Sequence, residues 1–433
     1  MALRRRRRPT TRKTANATLL RGALELTNAA NGVRSLARQG YITIPLFFLG
    51  WPTSELAPWL GMASVLDAAR RGWRGDFRGR RGMAGLALTV LSWVLLAFIH
   101  RRNITSAPHF EEPLREALGE DYEAAAHWSR MTLAGGLFRS AAARLRYVAQ
   151  ADTVSYGPHR ANRLDIWHRS DLPLDAKAPV LVNVPGGAWL IGMRRPQAYP
   201  LMGRLAAEGW ICVSIGYRVS PRWTWPDHVV DAKRALAWVH EHIADYGGDP
   251  DCIAISGGSA GGHLSSLCAL TQNDPAWQPG FEAADTSVVA AVPIYGRYDW
   301  DSTEGPGRVE FVRLFLQRLV VKKKYDTHRH IYQQASPIRH VRADAPPFFV
   351  LHGRNDSIIP VGEAREFVTA LREVSEAPVV YAEIPGAQHA FEIFGSSHGQ
   401  YTAAAVQKFL DWMRAKRGPQ PVTPPAAAPS RQP

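Results

Sequence analysis

The chain has 433 residues, a formal net charge of +14 and three cysteines. Its length alone favours about three domains, although a single α/β core can hold roughly 270 residues. The few cysteines, without metal-ligand spacing, argue against a disulfide framework and a metal site, and the sequence has no dinucleotide or Walker motif, so no cofactor is expected.

The excess positive charge lies in the first 102 residues. They contain 18 Lys and Arg against 4 Asp and Glu, whereas the rest of the chain has 34 of each. The balanced remainder argues against a nucleic-acid partner. Because the basic residues 1–40 precede long apolar stretches, we predict that residues 41–102 attach the protein to the cell membrane.

Two apolar stretches are candidate membrane segments. Residues 83–99 are uncharged and approach the ~18–20 residues that cross a bilayer core, so we predict a transmembrane helix there. Residues 41–66 contain Glu55 and three prolines, so this stretch either spans the membrane or is a re-entrant or interfacial segment. The side of the membrane on which the following domain lies stays open. The alternative is a helical pair docked as an amphipathic cap over the entrance to a site in that domain.

Residues 103–144 are predicted to form a helical linker or cap element. Strands and helices then alternate, which predicts an α/β domain over 145–417 with a mostly parallel sheet and flanking helices. An antiparallel pair of strands, 146–155 and 162–169, is expected to open this domain. Later apolar runs predict strands at 180–184, 211–216, 252–256, 287–294, 347–351 and 378–384.

Two segments of this region are not expected to contribute strands. An insertion at about 301–345 lacks a convincing strand pattern and is predicted to be part of a helical cap. The tail, 418–433, has six prolines and is predicted to be a disordered extension.

The most specific chemical motif is Gly257-Gly258-Ser259-Ala260-Gly261, between a predicted strand and a predicted helix. A serine hydroxyl is a weak nucleophile unless it is held exposed beside a base. A Gly-x-Ser-x-Gly elbow exposes it on a strained turn, where the outer glycines leave room for the neighbouring backbone. We therefore predict Ser259 as a nucleophile.

Two later loops offer the partners that a serine nucleophile needs. Asp356 follows the predicted strand 347–351, and His389 lies in the loop after strand 378–384. The order serine, acid, histidine is the one that hydrolases with such an elbow use. We predict that His389 takes the proton from Ser259 Oγ and that Asp356 fixes the tautomer of the imidazole.

Three other titratable residues are predicted to be structural. Asp231 precedes the serine and breaks the expected order. His263 and His352 are expected to be packing or hydrogen-bonding histidines.

Two further segments add to the pattern. Strand 180–184 runs into Pro185-Gly186-Gly187-Ala188-Trp189, and Tyr217-Arg218-Val219-Ser220-Pro221 follows. With the elbow and its partners, these motifs make residues 145–415 resemble the hormone-sensitive-lipase type of α/β-hydrolase esterase, particularly its actinobacterial lipase and esterase relatives. The family motif is His-Gly-Gly-Gly, so Pro185 replaces the histidine and Ala188 the last glycine.

The resemblance implies an oxyanion hole made by the backbone N–H groups of Gly186, Gly187, Ala188 and Ala260. Pro185 has no N–H, and Ala188 is expected to donate if its φ is negative. The departure from the family motif puts catalytic efficiency in doubt, since one lost donor costs ~10²-fold or more in rate.

Four aromatic residues near these motifs are candidates for the apolar lining of a substrate pocket: Trp189, Trp223, Trp225 and Phe391. The alternative is that they belong to the core.

The residues and the resemblance together imply a membrane-associated serine carboxylester hydrolase, an esterase or lipase that cleaves apolar acyl esters, with lipids among the candidate substrates. An amidase or formamidase, an acyltransferase and a catalytically inactive binding protein remain as alternatives. The oligomeric state is left open.

Overall fold

A computed structural model describes residues 12–37, 42–119, 122, 133–148, 151–195, 197–304 and 307–416. The predictions for residues 1–11 and for the proline-rich tail, 418–433, lie outside the described residues. The sheet is made of β1 (Asp152–Ser155), β2 (Arg163–Trp167), β3 (Ala178–Val184), β4 (Ile211–Ile215), β5 (Gly248–Gly258), β6 (Ala290–Ile294), β7 (Phe348–Gly353) and β8 (Val379–Ile384).

The helices are α1 (Arg12–Val33), α2 (Thr43–Glu55), α3 (Ala57–Arg74), α4 (Gly79–Ile104), α5 (Pro108–Leu118), α6 (Leu133–Ala143), α7 (Tyr199–Ala207), α8 (Asp227–His242), α9 (Ala260–Leu270), α10 (Arg308–Glu310), α11 (Arg329–Gln334), α12 (Gly362–Val374) and α13 (Ser397–Lys416). Their apolar residues follow the helical period. In α12, for example, Ala364, Phe367, Val368 and Leu371 form one buried face.

The strands form a single sheet in the order β1-β2-β4-β3-β5-β6-β7-β8. The β1–β2 and β2–β4 pairs are antiparallel, and the remaining pairs are parallel. The predicted α/β class with a mostly parallel sheet is confirmed. Because parallel strands end at the same edge, the loops after β3, β5, β7 and β8 meet there.

Helices cover both faces of the sheet. Successive residues of β3 point to opposite faces, so Val180 and Val182 pack in one core with α8, α9 and α12. Leu181 packs in the second core, with α7, α13 and α5. The segment predicted as a linker or cap at 103–144 therefore contributes α5 to the layer that covers the sheet.

The prediction for the opening strands was partly wrong. Residues 144–148 form a π-helical turn that continues α6, and β1 is limited to Asp152–Ser155. Tyr147 stacks on Trp167 at 6.0 Å between ring centroids, which favours packing of this turn against β2. Among the described strands, β1 pairs with β2 alone and is one edge strand of the sheet.

The described residues of the insertion predicted at 301–345 form short helical segments joined by turns and loops, and they contain no strand. The helix α10 continues as a π-helical turn, Phe311–Val320. Its residues Val312, Leu316 and Val320 are buried against the core, so this segment is packed on the domain through an apolar face.

The N-terminal helices α1 to α4 pack on one another. Gly22 and Gly85 allow α1 and α4 to approach closely, since a Cβ on Gly22 would lie 2.3 Å from the Gly85 carbonyl oxygen. The apolar stretch 41–66 is divided between α2 and α3, with a break at Leu56 and Pro58 in the first turn of α3. No single helix therefore runs through 41–66.

The predicted span 83–99 lies within α4. In the described part of the chain, one helical stretch, Gly79–Leu118, is long and apolar enough to cross a membrane, and 33% of its most apolar window is buried. Length and composition alone define this candidate.

Candidate active site

Ser259, His389 and Asp356 lie together at the carboxyl edge of the sheet. Ser259 directly follows β5, and the other two lie in the loops after β8 and β7. His389 Nε2 is 2.9 Å from Ser259 Oγ, and His389 Nδ1 is 2.7 Å from Asp356 Oδ2. A tautomer with hydrogen on Nδ1 donates to the carboxylate and leaves Nε2 free to accept the serine proton.

The backbone around Ser259 is strained in the manner of a nucleophile elbow. Ser259 has φ 57° and ψ −119°, a conformation that L-residues rarely adopt. A Cβ on Gly257 would lie 2.5 Å from both Gly261 O and Val184 O, and one on Gly261 would lie 1.9 Å from Val184 O. The two outer glycines are thus required by close backbone contacts.

The Asp356 carboxylate is held in its ionised form. Its Oδ1 accepts hydrogen bonds from the N–H groups of Ile358 and Ile359, both at 2.8 Å. Burial raises its pKa, but the charge of His389 and hydrogen bonds from His352 and His389 outweigh this and hold the pKa well below its usual value. Asp356 is therefore an acceptor that orients His389.

Two residues near the triad were not identified from the sequence as parts of the site. His352 is fully buried, with Nε2 3.3 Å from Asp356 Oδ2 and 2.9 Å from Ile359 O. Tyr295 places its ring 4.6 Å from the His389 ring. His352 was expected only to pack or to hydrogen-bond, and no local motif marks Tyr295.

The remaining titratable candidates have structural contacts. Asp231 accepts from the backbone N–H of Arg218 at 2.8 Å and pairs with its guanidinium at 2.7 Å. His263 stacks on Trp300 at 4.5 Å, and burial lowers its pKa to about 3. A neutral buried imidazole is consistent with a packing and hydrogen-bonding role.

The oxyanion hole requires one correction. The N–H of Gly186 donates to Gln197 Oε1 at 2.7 Å, and Gln197 Nε2 donates to Gly186 O at 3.1 Å. The prediction of Gly186 as a free donor is therefore wrong for this structure. Sequence reasoning missed Gln197 because it lies eleven residues away in a loop without a periodic pattern.

Three predicted donors keep their N–H groups available. Within the described residues, Gly187, Ala188 and Ala260 donate these groups to no protein acceptor. The expectation that Ala188 donates with a negative φ was wrong, because its φ is +54°. Its N–H nevertheless donates to no protein acceptor within the described residues and stays available to an oxyanion. Ala260 is the first residue of α9, where the helix dipole favours negative charge.

The four aromatic pocket candidates are mostly packed within the protein. Trp189 is 2% exposed and its ring lies 6.3 Å from the ring of Phe311 in the insertion. Trp225 packs against Trp300 at 5.1 Å, inside the core. Trp189 is thus the candidate that connects the loop after β3 with the insertion through side-chain packing.

The other two candidates, Trp223 and Phe391, also pack against protein side chains. Trp223 packs on His159 at 4.3 Å, beside the β1–β2 connection. Phe391 is fully buried and lies edge-on to Tyr295 at 5.5 Å. The core alternative therefore describes Trp225 and Phe391 better than a pocket lining does.

The described part of the chain contains no group of three or more His, Cys, Asp or Glu side chains arranged to hold a metal ion. The three cysteines of the chain all lie within the described residues, where they are buried and form no disulfide.

The chain is similar in sequence to a known protein family and to curated esterases. Residues 164–371 match the BD-FAE family. The chain is 47% identical to the probable carboxylic ester hydrolase LipM of Mycobacterium tuberculosis, over 88% of this chain and 89% of that protein. It is 53% identical to the esterase LipQ of the same organism, over 63% of this chain and 64% of LipQ.

Among solved structures, the butyrate-bound esterase Est2 of Thermogutta terrifontis is similar in fold. It has a TM-score of 0.51 and 26% sequence identity, and the match covers 62% of this chain and 94% of that chain.

Proposed function

Because this chain belongs to the same family of carboxylic ester hydrolases as LipM, we propose that it hydrolyses esters of apolar acyl groups through an acyl-enzyme on Ser259. The observation that carries the proposal is the continuous series of contacts from Ser259 Oγ through His389 to Asp356, at 2.9 and 2.7 Å. A serine nucleophile needs a base within hydrogen-bond distance that a third group orients, and His389 contacts Ser259 through Nε2 and Asp356 through Nδ1.

In the acylation step, His389 Nε2 takes the proton from Ser259 Oγ as Oγ attacks the ester carbonyl carbon. The carbonyl oxygen becomes an oxyanion that accepts hydrogen bonds from the N–H groups of Gly187, Ala188 and Ala260. The intermediate then expels the alcohol oxygen, which takes the proton from His389. Ser259 is left as an ester of the acyl group.

In the deacylation step, His389 removes a proton from water, and the resulting hydroxide attacks the acyl carbon. The same three N–H groups hold the second oxyanion. Collapse of this intermediate returns the proton to Ser259 Oγ and releases the carboxylic acid. Asp356 stabilises the imidazolium in both steps without changing its own protonation.

The N-terminal helices support a membrane-associated enzyme as a further part of the proposal. Large apolar side chains on these helices are more than half exposed, among them Leu20, Leu24, Phe48, Leu66, Val94 and Phe98. Extended apolar surface of this kind is typical of membrane contact. We infer that α4 is embedded in the cell membrane and that residues 145–417 form the catalytic domain at its surface, where lipid esters are substrates.

The enzymatic proposal is tested with p-nitrophenyl esters of graded acyl length and purified protein in detergent. We expect hydrolysis by the wild-type protein and its loss in Ser259→Ala. A fluorescent alkyl fluorophosphonate, which reacts with activated serines, should label the wild-type protein but not this variant. Absence of both hydrolysis and labelling in the wild-type protein would favour an inactive binding protein.

A further inference from the structure

The helix α2, from the apolar N-terminal region, contacts the loop that carries His389. Three residues on one face of α2, spaced by four positions, make these contacts: Phe47, Trp51 and Glu55. Side chains spaced in this way line a single stripe of a helix. The whole stripe therefore faces the segment between β8 and α13.

The first contact of this stripe is with the imidazole itself. Phe47 is 7% exposed, and its ring lies edge-on to the His389 ring, with 6.0 Å between centroids. Tyr295 is a second aromatic neighbour of the imidazole, with 4.6 Å between ring centroids. The two aromatic rings restrict the orientations that His389 can adopt.

The second contact holds the backbone next to His389. Trp51 Nε1 donates a hydrogen bond of 2.8 Å to the carbonyl oxygen of Ala390. Ala390 has φ +60°, which is unfavourable for an alanine and needs support from its surroundings. The Trp51 ring also packs on Phe394 at 4.7 Å.

The third contact fixes the end of the same loop. Glu55 is 1% exposed, and Ser396 and His398 are fully buried. Glu55 Oε2 accepts from Ser396 Oγ at 2.8 Å, and both carboxylate oxygens lie 3.1 Å from His398 Nδ1. A carboxylate this deeply buried requires such partners.

Between these contacts the loop has no regular secondary structure. Residues 385–396 form only turns and bends between β8 and α13, so side-chain contacts decide where His389 lies. The first and last of the three contacts are separated by eight residues on α2, and they bracket the loop from His389 to His398.

We propose that Trp51 and Glu55 are positioning residues for His389, and that α2 is thereby a component of the active site as well as of the membrane-associated region. This inference rests on the proposed esterase function. Trp51 acts through the Ala390 carbonyl, and Glu55 acts through Ser396 and His398. Neither residue touches the substrate.

Trp51→Phe tests the second contact, because it removes the N–H donor to the Ala390 carbonyl and keeps an aromatic ring beside Phe394. We expect kcat for p-nitrophenyl esters to fall roughly tenfold, since small displacements of a catalytic base are costly. KM is expected to change less than about twofold, because no substrate contact is lost. The rate of fluorophosphonate labelling of Ser259 should fall in parallel with kcat.

Trp73→Phe is the matched control, since it makes the same chemical change at a tryptophan that is 82% exposed on α3. It should retain the wild-type kcat, KM and labelling rate. Thermal unfolding of both variants separates a loss of positioning from a loss of folding.

The third contact is tested by a double-mutant cycle with Glu55→Gln and His398→Asn. If Glu55 acts through His398, the double variant loses no more kcat than the more impaired single variant. Additive losses would show that the two residues act independently and would overturn the Glu55 part of the proposal. This measurement stays informative if Trp51→Phe does not fold.

The outcomes distinguish this inference from the proposed function. Wild-type kcat and labelling rates in both Trp51→Phe and Glu55→Gln would overturn the positioning role and leave the esterase intact. A wild-type protein that neither hydrolyses esters nor reacts with the fluorophosphonate would overturn the esterase proposal itself.

Discussion

Gly257 lies where the nucleophile turn leaves no space for a side chain. A Cβ at this position would lie 2.5 Å from two backbone oxygens, which cannot move as a flexible side chain does. We expect Gly257→Ala to displace the Ser259 turn, to lower kcat/KM about 10- to 100-fold and to lower the free energy of unfolding by roughly 1–3 kcal/mol. Ester hydrolysis and thermal unfolding measure the two effects.

Gly362→Ala provides the control for this substitution. No atom lies within 4 Å of a Cβ built on Gly362, and its φ is not in the left-handed region. This variant should keep wild-type activity and gain up to about 1 kcal/mol in stability. Equal activity in the two variants would contradict the steric account of the elbow.

Glu392 links stability to pH near neutrality. It is 6% exposed, and its Oε2 has no hydrogen-bond partner within the described residues. Burial raises its pKa to about 7. The unfolded chain releases the carboxyl proton from about pH 4.5, whereas the native state keeps it up to about pH 7. The free energy of unfolding therefore falls as the pH rises from about 4.5 through 7. The total loss is about 3 kcal/mol.

Glu392→Gln cannot ionise and should lack this loss. We expect the variant to resemble the wild-type protein in thermal stability at pH 5 and to exceed it at pH 8. The carboxylate of Glu383 is a control of opposite sign. Burial raises the pKa of Glu383, but hydrogen bonds from Arg365 and Arg354 outweigh burial and hold the pKa at about 2. Glu383→Gln should therefore destabilise the protein at both pH values. An equal effect of Glu392→Gln at pH 5 and pH 8 would contradict the assignment.

At the scale of elements, α1 and α4 are held together by close backbone contact. A Cβ on Gly85 would lie 2.6 Å from the carbonyl oxygen of Thr18, so only glycine lets the two helix backbones approach this closely. Gly85→Ala should therefore separate the helices and cost roughly 1–3 kcal/mol, seen as a lower Tm in detergent. In Gly61→Ala, the new Cβ meets only Leu96 Cδ1 at 3.8 Å, so the Tm should stay near the wild-type value.

Elements with a regular pattern were predictable from the sequence, and those set by distant contacts were not. The buried strands β3 to β8 appear as apolar runs because both faces of the sheet are covered. The break between α2 and α3 falls inside one apolar stretch. It coincides with Glu55, whose partners Ser396 and His398 lie about 340 residues later in the chain.

At the scale of the whole molecule, the candidate triad was predictable because each member follows a strand of a parallel sheet. Such strands bring their carboxyl ends together whatever their separation in the chain. No comparable rule predicts which residues surround the triad and the oxyanion donors. Gln197, in a loop, accepts the hydrogen bond of the Gly186 N–H. Phe47, which contacts His389, belongs to a region whose composition indicates membrane contact.

Fractionation of cells that express the protein tests the proposed membrane attachment at the scale of the whole molecule. If α4 is embedded in the bilayer, the protein should stay with the membrane fraction in high salt and in alkaline carbonate, and detergent should release it. Attachment through basic residues alone would be reversed by salt, because salt screens exposed charges. Release by high salt, or recovery of the wild-type protein in the soluble fraction, would contradict the embedded helix.

Val94→Lys tests the same point within α4. Val94 is 59% exposed, and a lysine near the middle of a membrane helix costs about 2.5–3.5 kcal/mol on insertion scales. We expect this variant to lose much of its membrane-bound fraction. Leu174→Lys makes the same apolar-to-charged change at a residue that is 73% exposed between β2 and β3, and this variant should stay membrane-bound. Identical partitioning of the two variants would mean that this face of α4 does not meet lipid.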